Sequence, residues 1–235
     1  MLNLRIRLHT KEQLDNLSLS GKKLSKVLIS LKLINKLFGN HKQLAKSTLD
    51  YCIKNPQKKP IRIVDIGCGG GDSIYNVFSK LNNNGIQGNF LGIDGNPQTI
   101  NHANSLYAKE DQIQFEIGDI LDPAFIIPDC DIIISSHFIY HFEDEELIKF
   151  IKRIQEKGIK HIIFSELKRS KIAYFLFKYS SIFLPISKLA KQDGLIAIQR
   201  AFTINELENI INKSDVKKYT VHKKTWFRTL TKIDL

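Results

Sequence analysis

Leu24, Val27, Leu28, Leu31, Ile34 and Phe38 recur at three- and four-residue spacing, which predicts one apolar helical face within a helical stretch over residues 13–50. Gly39-Asn40 interrupts the pattern and predicts a second helix starting near His41. The segment NPQKKP, residues 55–60, reads as a loop. Beyond it, short apolar runs alternate with helical windows. Strands are predicted at 61–66, 90–93, 113–117, 131–134 and 161–164, and helices at 72–81, 97–108 and 143–154. The unbroken apolar runs at 131–134 and 161–164 fit strands buried on both faces. Such an alternation specifies a parallel sheet with helices on both sides.

The C-terminal part changes character. Thr203-Ile204-Asn205-Glu206 carries a capping box and opens a helix. The runs 217–222 and 226–231 lie too close together for a crossover helix, so they are expected to pair antiparallel. No internal repeat is visible.

Charge adds one open question. The chain of 235 residues carries a net charge of +11, and no acid occurs between Asp15 and Asp50. Either the host favours Lys in general, or a basic surface faces an anionic partner such as RNA or lipid headgroups. Cysteines stand at 52, 68 and 130 only, without zinc or Cys-x-x-Cys spacing, which suits a reduced, cytoplasmic setting. The opening stretch MLNLRIRLHTKEQ lacks the apolar core of a signal peptide. The longest apolar stretch, 172–187, is interrupted by Lys178 and Pro185 and is too short to span a bilayer.

The chemistry concentrates in IVDIGCGGGDS, residues 63–73, where a strand meets four glycines and then an acid. Bare glycines let a ligand approach the backbone, and the following helix offers free N–H groups. A phosphate loop would need a Lys after the glycines, and none is there. The dinucleotide pattern Gly-x-Gly-x-x-Gly fails in both registers, because Asp72 or Ile74 occupies the third glycine position. A carboxylate at Asp72 is also expected to repel a pyrophosphate on the helix N-terminus. The pattern that fits is Asp-x-Gly-x-Gly-x-Gly: Asp65, Gly67, Gly69 and Gly71.

This pattern resembles the first motif of class I S-adenosylmethionine-dependent methyltransferases. Three further elements follow in order. Asp94 ends LGID, Gly118-Asp119-Ile120 ends the third strand region, and Ser135-Ser136 ends the fourth. The resemblance covers roughly residues 61–166. It implies an α/β fold with a doubly wound, seven-stranded, mostly parallel sheet and an antiparallel C-terminal hairpin strand. It also implies S-adenosylmethionine as cofactor, held by Asp65, Gly67, Gly69, Gly71, Asp94, Asp119, Ile120 and Ser135. Asp94 would take the ribose hydroxyls, which suits a carboxylate with two accepting oxygens.

Acceptor motifs speak by exclusion. The Asn/Asp-Pro-Pro-Tyr/Phe signature of base amine methylation is absent, and Pro128-Asp129-Cys130 is not the Pro-Cys of RNA cytosine enzymes. After the fourth strand comes HFIYHF, residues 137–142, similar to His-rich stretches in methyltransferases of small molecules such as quinones. His137 and His141 are the candidates for taking a phenol proton, since imidazole titrates near neutral pH.

A looser likeness spans most of the chain. INKLFGNH, SELKRS with Ala173-Tyr174, Asp193-Gly194, RAFT and Phe227-Arg228 together look like the methyltransferases encoded beside type III polyketide synthases. That likeness implies a lipid-tailed polyphenol or quinone acceptor, with Tyr140, Tyr174 and Arg200 as candidate acceptor contacts and no metal.

The apolar, Lys-flanked stretch 172–187 suits a helical lid over a greasy pocket, or a helix resting on an anionic membrane surface. The expected organisation is an N-terminal helical cap at 1–57 and a Rossmann-like domain at 58–235, with a lid insertion at 168–198. A small-molecule acceptor is the first expectation, with peripheral membrane contact as an option. A tRNA or rRNA methyltransferase using the basic surface is the alternative.

Overall fold

A computed structural model of the chain describes residues 3–235; Met1 and Leu2 of the opening stretch lie outside the described residues. Two helices come first, α1 (Gly21–Leu37) and α2 (Asn40–Lys54). An alternating series follows: β1 (Ile61–Ile66), α3 (Asp72–Asn82), β2 (Gly88–Asp94), α4 (Pro97–Leu106), β3 (Ile113–Ile117), β4 (Ile132–Ser136), α5 (Asp144–Glu156) and β5 (His161–Leu167). The chain ends with α6 (Lys171–Ser180), α7 (Lys188–Arg200), α8 (Ile204–Lys213), β6 (Lys218–Lys224) and β7 (Arg228–Asp234).

The seven strands form one sheet in the order β3-β2-β1-β4-β5-β7-β6. The first five run parallel, while β7 lies antiparallel to both β5 and β6. The expected hairpin is therefore present, turned by Trp226 and Phe227, both with positive φ. The chain winds outward from β1 through β2 to β3, then returns to β4 on the other side of β1. That reversal opens a crevice at the carboxyl ends of β1 and β4.

Ile132, Ile133 and Ile134 of β4 are wholly buried, as their unbroken apolar run predicts for a central strand. Each such side chain contributes about 2 kcal/mol on burial. One core lies between the sheet and α5, α8, around Phe150, Ile151, Phe164 and Leu207. The other lies on the opposite face, where α2 and α3 bring Leu44, Leu49, Ile74 and Leu81 against Ile63 and Ile134.

The break expected at Gly39-Asn40 is present, but the first helix does not begin near residue 13 as expected. Only a single 3-10 turn forms at Gln13–Asp15, and α1 begins at Gly21. Asn16 explains the break: its side-chain oxygen accepts from Ser18 N at 3.0 Å and from Ser18 Oγ at 2.6 Å. This local turn competes with helical hydrogen bonding. The predicted apolar face of α1 does form, and it divides. Leu24, Val27 and Leu28 are buried, while Leu28, Leu31, Ile34 and Phe38 line the cavity at the crevice. The stretch expected to form a helical lid after β5 folds as two helices, α6 and α7. They touch closely at Gly194, where a Cβ would lie 2.6 Å from Phe177.

Candidate functional site

A cavity of about 580 Å³ opens at the carboxyl ends of β1, β2 and β4. Its floor is the glycine loop, its walls are the segments after β2, β3 and β4, and its roof is built from α1, α6 and α7.

The loop leaves β1 through three glycines with φ of +67°, +53° and +82°, at Gly67, Gly69 and Gly71. Each is needed for a different reason. A Cβ on Gly67 would lie 2.2 Å from the Phe138 ring, and one on Gly71 would lie 2.6 Å from Phe115. Gly69 has nothing within 4 Å of its missing Cβ, so its bare backbone faces open cavity. Gly71 thus serves packing and does not line the cavity, whereas Gly67 and Gly69 do.

Asp94 ends β2 beside this loop. Its Oδ2 accepts from Gly69 N and its Oδ1 from Asn96 N, each at 3.0 Å. Burial raises its pKa above the ordinary carboxylate value, and the two backbone amides oppose that rise. The carboxylate is held rigidly at the cavity wall, and each oxygen retains accepting capacity for a vicinal diol. Asp119 lines the same wall with Ile120, and Asp119 Oδ1 also accepts from Leu121 N at 3.1 Å. The residues fit a nucleoside, which Asp94 and Asp119 would hold at this wall.

Asp65 sits elsewhere. It is fully buried below the loop and does not line the cavity, and among the described residues only the Ile74 amide, at poor geometry, opposes the cost of burying it. Burial and then the nearby Asp94 raise its pKa well above the usual range. Ser135 is also spent on the framework, its Oγ donating to Ile66 O at 3.1 Å across the β1–β4 pair. Its neighbour Ser136 is the one that lines the cavity. Asn40 of α2 donates to Ser136 Oγ and accepts from Ser165 Oγ, tying the ends of β4 and β5 to the cap.

Asp72 corrects one inference from the sequence. Its carboxylate is not a free negative charge at the helix start. Lys32 of α1 pairs with Oδ1 at 2.7 Å, and Tyr107 donates to the same oxygen at 2.8 Å. The expected repulsion of phosphate by Asp72 is therefore largely neutralised. The failed glycine register remains as the signal that sets this loop apart from a pyrophosphate site; the carboxylate at Asp94 does not, because dinucleotide folds also place an acid there for the ribose.

The two histidines after β4 separate into different roles. His137 adopts φ +56°, a left-handed conformation that is costly outside glycine. Its Nε2 meets the Arg228 guanidinium, a contact that holds it there. Burial, then the charge of Arg228, push its pKa well below the usual histidine value. A neutral ring whose Nε2 lone pair already accepts from Arg228 is poorly placed to take a proton. His141 instead has Nδ1 3.1 Å from Asp15 Oδ1, while Nε2 has no protein partner among the described residues.

Asp15 is a residue that no motif indicated. Burial pushes its pKa up, but His141 and Arg200 outweigh burial and hold it at about 2. Arg200 Nη1 lies 2.7 Å from Asp15 Oδ2 and 3.4 Å from Glu12 Oε1. Burial and the neighbouring Asp15 push Glu12 up to about 8. Glu12, Asp15 and His141 bring ligand atoms within 4.8 Å of one another, a spacing compatible with a metal ion. Arg200 already supplies the cation that these carboxylates require.

Arg200 and Tyr140 both line the cavity, and the guanidinium lies 5.6 Å over the Tyr140 ring. Arg200 is thus engaged mainly in ordering Glu12 and Asp15. Tyr174 does not line the cavity; it packs edge-on against Phe175 at 5.5 Å.

Three of the segments behind the looser family likeness reach the N-terminal strap, through Arg169, Asp193 and Arg200. Asp193 accepts from Gln13 N at 3.0 Å and Leu14 N at 3.1 Å. Arg169 donates to Leu4 O at 3.1 Å and to Ala201 O at 2.7 Å. The available signal was the lone acid Asp193 between apolar and basic neighbours. Its partner could not be read locally, because it is the backbone of a segment far away in sequence.

Comparison with known proteins agrees with this architecture. A family profile described as "Methyltransferase domain" matches residues 57–233. Ajmaline N-methyltransferase of Rauvolfia serpentina is 34% identical over 121 residues, covering 49% of this chain and 39% of that protein. The probable chloroplastic tocopherol O-methyltransferase of Oryza sativa subsp. japonica is 31% identical over 112 residues, 46% of this chain and 29% of that one. The chain thus spans well under half the length of these curated relatives. Among solved structures, the plantazolicin methyltransferase BpumL in complex with SAH superposes with a TM-score of 0.67 at 17% identity, covering 92% of this chain and 91% of that one. Human N-acetylserotonin methyltransferase in complex with SAM gives a TM-score of 0.63 at 13% identity, covering 96% and 63%.

Proposed function

The chain belongs to the methyltransferase-domain family, and from that premise we propose that it transfers the methyl group of S-adenosylmethionine to a small, lipophilic aromatic acceptor. The observation that carries this reading is a single cavity, reached by both Asp94 and His141, whose roof comes from apolar residues of α1, α6 and α7. S-adenosylmethionine, when bound, supplies an activated methyl group on a sulfonium.

The chain's own residues then orient and exclude water. Asp94 takes the ribose hydroxyls, Asp119 the adenine side, and Gly67 and Gly69 let the tail pass close to the backbone. Leu31, Ile34, Phe38, Leu176 and Phe177 surround the acceptor and keep the reacting atoms dry. His141 Nε2 would take the proton of an acceptor hydroxyl. Asp15 fixes the Nδ1–H tautomer and stabilises the imidazolium that results. Arg200, stacked over the Tyr140 ring, holds Asp15 and Glu12 in place.

The looser likeness to methyltransferases encoded beside type III polyketide synthases extends this to a phenolic or quinone acceptor with an alkyl tail. In that functional division, residues 1–57 and the lid at 168–198 close over the remainder of the Rossmann-like body at 58–235.

Incubation with methyl-labelled S-adenosylmethionine and cell extract, followed by separation of lipid-soluble and RNA fractions, tests the acceptor class. Label in the lipid-soluble fraction is expected. Label confined to RNA would replace this acceptor with the nucleic acid that the basic surface suggests. Absence of S-adenosylhomocysteine binding by calorimetry would overturn the reading altogether.

A further inference from the structure

The lid helix α6 is turned apolar side out. Ile172, Phe175, Leu176 and Tyr179 recur at three- and four-residue spacing on its exposed face, and Ile182 and Phe183 continue the patch around the next turn. Phe183 is 86% exposed, Ile172 67% and Ile182 66%. Large side chains gathered this densely on the surface mark a docking site. The inward face of α6 is no greasier: Ala173 is buried and Phe177 and Ser180 line the cavity.

The charge around the patch selects what docks there. Lys171, Lys178 and Lys188 stand exposed beside it, and no acid occurs between Glu166 and Asp193. Helix α1 lies against the same lid, with Ser187 N donating to Ser30 Oγ at 2.9 Å. That helix adds exposed Lys22, Lys23 and Lys26 without one acid, and an exposed Ile29 beside Ser30. An apolar stripe ringed by cations matches the surface of an anionic bilayer. A second copy of the same face would instead oppose lysine to lysine. Among the described residues, no helix is long and apolar enough to cross a membrane, so the contact is one of lying on the surface.

We propose that α6, the turn after it and the basic face of α1 form a docking surface for anionic phospholipid membrane, seating the cavity mouth at the acyl boundary. Leu176 is both exposed and part of the cavity lining, so the path from the bilayer into the cavity is short. The route this offers a lipid-tailed acceptor rests on the function proposed above; the docking itself does not.

Flotation of the full chain with vesicles tests it directly. Vesicles of equal parts phosphatidylcholine and phosphatidylglycerol are compared with phosphatidylcholine alone, at low and raised salt. Binding to the anionic vesicles at least about tenfold tighter is expected, because each Lys near the surface strengthens binding roughly fivefold. Raised salt weakens it by screening. Phe183→Glu abolishes it, and the double variant Lys178→Glu, Lys188→Glu reduces it to the level of neutral vesicles. Both variants keep wild-type affinity for S-adenosylhomocysteine, since none of these residues lines the cavity. Equal binding to both vesicle types, or binding unchanged by Phe183→Glu, overturns the proposal. So does a concentration-dependent dimer in light scattering that Phe183→Glu dissolves without any vesicle binding. Loss of cofactor binding in the wild type would count against the proposed function and leave the flotation result readable.

Discussion

His141 Nδ1 lies 3.1 Å from Asp15 Oδ1, joining the turn after β4 to an N-terminal strap laid over the crevice. The pair places an oriented imidazole at the cavity wall only when the strap is in place. His141→Gln is expected to lower turnover by about 10²- to 10⁴-fold, the usual contribution of a positioned base. Affinity for S-adenosylhomocysteine should stay within a factor of about three. Asp15→Asn should lose part of the same turnover, because the amide still bonds the ring but no longer stabilises its charged form. Steady-state kinetics with the acceptor recovered from the labelling experiment checks both. An undiminished turnover in His141→Gln would remove it from the chemistry.

Asp94 is held by two backbone amides, Gly69 N and Asn96 N, so its carboxylate is preorganised for a diol. Removing it loses charge-assisted hydrogen bonds of about 1.5–3 kcal/mol each. Asp94→Ala is therefore expected to weaken S-adenosylhomocysteine binding by about 10²- to 10⁴-fold. Asp94→Asn, which keeps an accepting oxygen, should fall between. Calorimetry measures this, and wild-type affinity in Asp94→Ala would dismiss the assignment.

The glycines of the loop should respond differently to the same substitution. Gly67→Ala adds a Cβ 2.2 Å from Phe138 and should unfold or displace the turn after β4. Gly69→Ala meets no neighbour, so its structural cost is the left-handed conformation alone, about 1–2 kcal/mol. It should still fold, with a melting temperature lowered by a few degrees, yet lose cofactor affinity because its methyl enters the cavity. Gly85→Ala has the same sign of φ with open space around it, far from the cavity, and serves as the control. Thermal melts paired with calorimetry separate the three.

Two buried carboxylates give stability a distinct pH dependence. Burial pushes both Glu12 and Glu166 up to about 8 from an ordinary 4.5. A raised folded-state pKa means that the native chain binds more protons than the unfolded chain between those values. Stability from these groups is then complete below pH 4.5 and declines as pH rises toward about 8. Glu12→Gln mimics the protonated form and should flatten part of that decline. Asp15 acts oppositely and elsewhere: its pKa is held at about 2, so its contribution is lost only as pH falls from 3.8 toward that value. Urea unfolding of wild type and Glu12→Gln across this range provides the check, and parallel curves would refute it.

The sheet was legible because its signals are local. The unbroken run of Ile132 to Ile134, the glycine loop and the capping box at Thr203 each report their own structure within a few residues. The position of Asp94 and Asp119 at the cavity wall was legible because strand ends converge in this topology wherever the sheet reverses. The helical stretch 13–50 was overextended because Asn16 folds back on Ser18, a competition that apolar periodicity does not register. Asp15 and Glu12, and the partners of Asp193, escaped detection for a different reason. The partners are Arg200, His141 and the backbone of Gln13 and Leu14, all far away in sequence, so the network exists only after folding. His137 and His141 looked alike as neighbours in one short run. The guanidinium of Arg228, arriving from β7, is what separates them.

That dependence on distant partners makes the strap itself testable. Asp193 receives the Gln13 and Leu14 N–H groups, and Arg200 receives the Asp15 carboxylate from the same turn. Asp193→Ala leaves two amides without acceptors and should cost about 2–4 kcal/mol locally. The loss falls on a short surface segment, so it should appear as local opening rather than global unfolding. Trypsin is expected to cut at Arg7 or Lys11 several-fold faster in Asp193→Ala, while the melting temperature falls only slightly. Turnover should fall with it, because Asp15 can no longer hold His141, whereas Asp94 keeps its grip on the cofactor. A variant cleaved faster at the strap yet fully active would mean that Asp15 is not needed to orient His141. Equal cleavage in both proteins would mean that Asp193 does not secure the strap.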